Sequence, residues 1–276
     1  MDDKRQDIER IEAFMRAGDP AGAEAYCRER LAAATADGQR ILLLDYLVNL
    51  LLAGQRPEEA EQACREELAL LEKMFGPDHP HLAGVLHNLG MLLNGLGRFD
   101  EAMTHSAREL AILRKALPPE HPRLADAKLG LAGHYYETSR FDEAAALLKE
   151  ALASFEAAEG RESLGVSACL NNLGRILENK GENESSIPLF AEAVAIRRKL
   201  LGRHPETAFT LLNYGTALVA VGRIYDAANV LAECAALYAH LNMNDSPLCK
   251  ACLSNLELCR REIGRLSADQ PGCGCG

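Results

Sequence analysis

The chain has 276 residues, 48% of them apolar, with no Trp, 5% aromatics and a formal charge of -10. An acidic chain without long Lys/Arg clusters lacks the cationic neutralisation that a phosphate backbone requires, so nucleic acid is not an expected partner. A neutral or basic partner suits this charge balance.

The N-terminal stretch MDDKRQDIERIEAF is charged and holds no apolar signal core. Residues 3–38 contain GDPAGAEAYCRERLAAA, which reads as a short, degenerate helix pair. The most apolar stretch, ILLLDYLVNLLLAG, runs from Ile41 to Gly54 and includes Asp45 and Asn49. A bilayer span needs about 20 apolar residues, so this is expected to be a buried helix, and no membrane partner is expected. Together these features predict a cytoplasmic protein. Its nine cysteines are then thiols or metal ligands rather than stable disulfides.

Beyond residue 75 a period emerges. His-Pro occurs at His79-Pro80, His121-Pro122 and His204-Pro205, and Ser246-Pro247 falls one step further, with gaps of 42, 83 and 42. The unit without His-Pro carries RESLGVSACLNNLG in its place. The segments LHNLGMLLNGLGRFDEA, LGLAGHYYETSRFDEA, LNNLGRILENKGENESS and LNYGTALVAVGRIYDAA superimpose on one another. Each reads as helix, turn, helix. Leu86, Leu89 and Leu93 give the first helix its 3.6-residue apolar spacing. Gly97, Ser139, Gly181 and Gly222 permit the turn. Asp100-Glu101 and Asp142-Glu143 start the second helix where its dipole favours acid. Small residues recur in pairs: Gly90 with Ala102, Ala132 with Ala144, Gly174 with Ser186, Gly215 with Ala227. At such sites a bulky side chain would force adjacent helices apart. Val48 and Ala60 hold the same places in a degenerate unit over residues 41–75.

At the far end the phase puts Glu257 at the first small site, where a buried unpaired carboxylate would be costly. The array is therefore expected to stop there. Residues 248–264 should form one capping helix, polar on its outer side through Arg260, Arg261 and Glu262. Residues 265–276, ending PGCGCG, are expected to be a flexible tail.

These phased units resemble the tetratricopeptide repeat over nearly the whole chain. The 42-residue period, the His-Pro steps and LNNLG look like the repeats of kinesin light chains and of many bacterial scaffold proteins. The resemblance implies an all-α fold: a right-handed superhelical solenoid of helix-turn-helix repeats over residues 1–264, about six in number with the first two degenerate.

In such a solenoid the first helix of each pair lines the inner surface. Two residues before the small site stand Tyr46, Asn88, Gly130, Asn172, Asn213 and Asn255. Asn is a poor helix former, but its amide offers a donor and an acceptor that match a peptide group. Neighbouring units lie about 10 Å apart and an extended strand rises about 3.3 Å per residue. One Asn could thus meet every third residue of a bound segment. The alternative is that these amides brace the repeats through inter-helix hydrogen bonds, and the two roles can coexist. The family resemblance implies that Asn88, Asn172, Asn213 and Asn255 face a peptide groove; Gly130 and Tyr46 depart from it. No heptad coiled coil accompanies the repeats, so binding to a motor is not implied. His87, Asn171, Arg175, Asn94, Glu178 and Tyr136 are further inward candidates, with Phe209 and Leu212 as an apolar patch. The expected partner is a protein or peptide segment.

No P-loop, G-x-G-x-x-G, H-E-x-x-H or G-x-S-x-G is present, and no enzyme is expected. The His-Pro histidines recur along the array, cannot converge on one metal, and read as loop residues. Cys27, Cys64, Cys169 and Cys234 read as small packed hydrophobes. Cys249, Cys252 and Cys259 share one face of the capping helix, expected to be the face where the array has run out of partners. Cys249, Cys252, Cys273 and Cys275 would supply the four thiolates of a zinc or other thiophilic metal site. The alternative is that the helix cysteines pack against the previous repeat. The first expectation is a non-catalytic scaffold; the second is a metal- or thiol-handling protein that uses the repeats for docking.

Overall fold

Three of the histidines that punctuate the sequence cap helices. The computed structural model describes residues 2–268. In it, Nδ1 of His121 accepts the backbone N–H of Arg123 at 3.2 Å, and Nδ1 of His204 accepts that of Glu206 at 3.2 Å. His79 does the same for His81 at 3.2 Å and leads into a short 3-10 turn, Pro80–Leu82. The following Pro enters the first turn, where its missing N–H is no loss. Where the motif lacks His, a serine hydroxyl substitutes: Ser163 accepts from Val166 N at 3.2 Å and Ser246 from Cys249 N at 3.1 Å. The His-Pro step is therefore a helix-start signal.

The described residues form thirteen α-helices and no strand, and the chain divides between Arg140 and Phe141 into two compact units. The first unit holds α1 (Asp2–Arg16), α2 (Pro20–Ala33), α3 (Asp37–Ala53), α4 (Pro57–Phe75), α5 (Ala83–Gly95), α6 (Phe99–Ala116) and α7 (Pro122–Glu137). Each helix packs on the next, and alternate helices α1 and α3, and α5 and α7, also touch. The apolar stretch from Ile41 is the buried α3, with Leu43, Leu44, Leu47, Val48 and Leu51 in the core.

The second unit holds α8 (Phe141–Glu159), α9 (Leu164–Asn179), α10 (Asn183–Leu200), α11 (Pro205–Ala220), α12 (Ile224–His240) and α13 (Pro247–Ala268). Consecutive helices pack here too, and α11 touches both α9 and α13. The turn residues Gly97, Gly181 and Gly222 take φ of 74°, 77° and 76°. Ser139 takes φ 59° at the matching position despite its side chain, a conformation that costs an L-residue about 1–2 kcal/mol.

The small sites are the points of closest approach. A Cβ on Gly174 would stand 2.8 Å from the ring of Phe190, and one on Gly215 would stand 2.6 Å from Leu231. Ala102, Ala144, Ser186 and Ala227 are fully buried.

The last helix differs from expectation in two respects. It runs to Ala268 rather than ending at 264. Its cysteine face is also not left without partners: Cys249, Cys252 and Cys259 are 1%, 0% and 0% exposed in a core shared with Leu231, Cys234 and Tyr238. The array ends on the opposite side, where Glu257 is exposed. Three thiols spaced as i, i+3 and i+10 fall on the stripe that packs on α12.

Candidate functional site

The candidate asparagines of the second unit, Asn171, Asn172, Asn213 and Asn255, lie on α9, α11 and α13. Asn171 and Asn172 are adjacent in sequence but about 100° apart around the helix. Asn171 is turned inward, 2% exposed, while Asn172 is half-buried. The side-chain amide of Asn213 on α11 donates to Oδ1 of Asn171 at 3.0 Å, joining successive repeats. Nδ2 of Asn171 in turn donates to Oδ1 of Asn172 at 3.4 Å. This relay uses the carbonyl of Asn172 and the amino group of Asn213. The amino group of Asn172 and the carbonyl of Asn213 take no part in it, and both residues are half-buried. On α13, Nδ2 of Asn255 donates to Oγ1 of Thr216 at 3.1 Å, again linking two repeats.

The flanking groups are mixed. The Arg175 guanidinium sits 6.0 Å from the centre of the half-buried Phe209 ring. Burial, against the pull of Arg175, pushes the Glu178 carboxyl up to about 7. Leu212, expected in an exposed apolar patch with Phe209, is instead 6% exposed and belongs to the core. Its position one residue before Asn213 turns it toward α10 and α12, as for Asn171 before Asn172.

The remaining sequence candidates lie in the first unit. Asn88 is half-buried on α5, and Tyr136 is half-buried on α7. His87 on α5 pairs through Nδ1 with Oε1 of buried Glu109 on α6 at 3.4 Å, and this hydrogen bond holds its pKa above the ordinary value. Asn94 has an inner role: its Oδ1 meets Nδ1 of His134 at 3.1 Å, and Nε2 of His134 meets Oγ of Ser106 at 2.9 Å. His134 is 2% exposed, and burial lowers its pKa. Sequence reasoning missed this cluster, although it surrounds a small site: a Cβ on Gly90 would stand 2.4 Å from Ser106 Oγ.

Of the candidate thiolates, Cys249 and Cys252 are buried, and the Cys252 thiol donates to the carbonyl of Leu231 at 3.3 Å. Cys273 and Cys275 lie outside the described residues. Among the described residues, no three His, Cys, Asp or Glu side chains converge to hold a metal. No described helix is long and apolar enough to cross a membrane.

Comparison with known proteins extends this picture. The family model described as tetratricopeptide repeat matches residues 39–115, 82–157, 123–199 and 165–240. No curated protein matches the chain. Among solved structures, BtubC (BKLC) from P. vanneervenii is 22% identical, with a TM-score of 0.64 over 84% of this chain and 92% of its own. The nearly identical TPR-like repeats from Podosopora anserina are 23% identical, with a TM-score of 0.61 over 75% of this chain and 99% of theirs. NprR in complex with its cognate peptide NprX is 11% identical, with a TM-score of 0.65 over 98% of this chain and 74% of its own. At these identities the neighbours share the fold. The four overlapping matches, together with the phased helix pairs and their small-residue contacts, show that the chain belongs to the tetratricopeptide repeat family.

Proposed function

We propose that this protein is a non-catalytic interaction scaffold that captures an extended segment of a partner protein on the α9–α11–α13 face. The observation that carries this reading is the asparagine relay. Asn171 spends its amide on bracing successive repeats, and by doing so orients a donor on Asn172 and an acceptor on Asn213. A peptide group requires one of each. Both asparagine roles weighed from the sequence are thus combined, one residue serving the other two. The repeat family and a peptide-bound fold neighbour, NprR with NprX, support a protein or peptide ligand.

The test is a binding assay with a partner recovered by affinity capture and then purified. Asn172→Ala removes the outward donor, and with it the acceptor of the long Asn171 bond, and should weaken binding by about 1 kcal/mol, roughly fivefold, without loss of helicity. Asn171→Ala should lower stability as well, because it leaves its two neighbours without their partner. Unchanged affinity in Asn172→Ala would return the asparagines to a purely structural role.

A further inference from the structure

The first unit contains a cavity of about 390 Å³ between α1, α3 and the end of α4. Two carboxylates line it, Asp45 from α3 and Glu67 from α4. Glu67 is 6% exposed, and its Oε2 is buried without a hydrogen-bond partner. Ile41, Leu71, Met74 and Phe75 give the cavity a hydrocarbon and aromatic wall. Met74 and Phe75 are exposed large apolar residues, 45% and 41%.

The repeat itself indicates what charge belongs beside Glu67. One period of 42 residues carries Asp45 onto His87 and Glu67 onto Glu109. In that next copy the two positions form the His87–Glu109 ion pair at 3.4 Å, an acid of α6 answered by a base of α5. A further period carries them onto Leu129 and Ala151, both apolar. The chain thus fills this pair of positions with opposite charges or with no charge, except in the α3–α4 copy, where both are acids. Two acids side by side, one of them desolvated and without a hydrogen-bond partner, form a site that an incoming cation would complete.

We propose that this cavity receives a basic side chain, arginine or lysine, of a partner polypeptide, with apolar residues beside it. The proposal rests on the reading that the chain binds polypeptides, but not on the asparagine face. An arginine or lysine brings an apolar stem that fits the wall and a charged head that reaches the acids. A calcium or magnesium ion suits the site less well, because it takes six or more oxygen ligands and the wall here is hydrocarbon. Lys4 also borders the cavity; its Nζ lies over Gly38, 2.7 Å from where a Cβ would stand, and Glu67 Oε2 remains unpartnered. His81 stands at the same rim, stacked edgewise on Phe75 with ring centres 4.9 Å apart.

The experiment titrates the full-length protein by calorimetry with acetyl-Leu-Arg-Phe-amide and with its citrulline counterpart, which has the same shape without the charge. The arginine peptide should bind at least tenfold more tightly than the citrulline peptide. Glu67→Gln should remove that preference. Asp45→His rebuilds the neighbouring repeat's ion pair inside the cavity; it should also abolish binding while raising the melting temperature, so that loss of binding is not loss of fold. Lys4→Ala should leave binding unchanged or strengthen it, and Asn172→Ala should leave it unchanged. The proposal is overturned by equal affinity for the two peptides, by no binding to the wild type, or by retention of the preference in both Glu67→Gln and Asp45→His. It is also overturned if spermidine binds more tightly than the arginine peptide in a Glu67-dependent way, which would identify a free amine as the ligand. Sensitivity to Asn172→Ala alone would place the peptide on the asparagines of the second unit and count against this site while supporting the asparagine reading.

Discussion

Glu67 should make this protein less stable as pH rises, with a size that can be worked out. Burial, with the charge of Asp45 adding to it, pushes its carboxyl up to about 8 from an ordinary value of 4.5. The native state therefore binds a proton that the unfolded chain has released throughout that interval. The Glu67 contribution to stability is full below about pH 4.5, falls as pH rises toward 8, and levels off above it. At about 1.4 kcal/mol per pH unit, the loss between pH 6 and pH 9 is about 3 kcal/mol. Glu67→Gln keeps the shape and removes the titration, so its stability should not carry this fall. His87 and Glu178 also have raised pKa values, and His105 and His134 lowered ones. Their contributions cancel when the variant is compared with the wild type at each pH. Urea unfolding followed by far-ultraviolet circular dichroism at pH 6, 7, 8 and 9 measures the difference. The two proteins should converge at acid pH and diverge by about 3 kcal/mol between pH 6 and 9, the variant being the more stable. Parallel curves across that range would refute the reasoning, because they would mean that Glu67 is ionised at little cost in the native fold.

Three other outcomes are expected. Gly174→Leu should drive into the buried Phe190 ring, 2.8 Å from the new Cβ, and cost about 1–3 kcal/mol or more; Glu257→Leu, on an exposed position of the last helix, should change urea stability by a few tenths of a kcal/mol. His121→Ala should remove a helix cap and cost about 1 kcal/mol in the same assay, and His121→Asn should restore most of it. A chromogenic disulfide reagent should react slowly with Cys27, Cys64, Cys249, Cys252 and Cys259 in the native protein and fast in urea, since all five are buried and burial pushes Cys27 up to about 11 and Cys64 up to about 12. Rapid native labelling at Cys249 or Cys252 would contradict their place in the core.

The repeat was legible in the sequence because its causes are local and recur. A period of 42, a cap residue before Pro, a glycine at most of the left-handed turns and paired small residues depend only on positions within one helix pair, and several copies say the same thing. Rotation and distance were not legible. Asn171 and Asn172 are one residue apart, and only the seating of α9 against α11 decides which is buried as a brace and which stays half-buried. The cysteines of α13 are on one face in either reading, but packing on α12 makes that face core rather than surface. Asp45 reads as an interruption of an apolar helix, and Glu67 as one acid in CREELALLEK. Their meeting in one cavity required α3 and α4 to pack, because sequence periodicity fixes the angle of a side chain around its own helix but not the distance to the neighbouring helix that sets its dielectric surroundings and its partners.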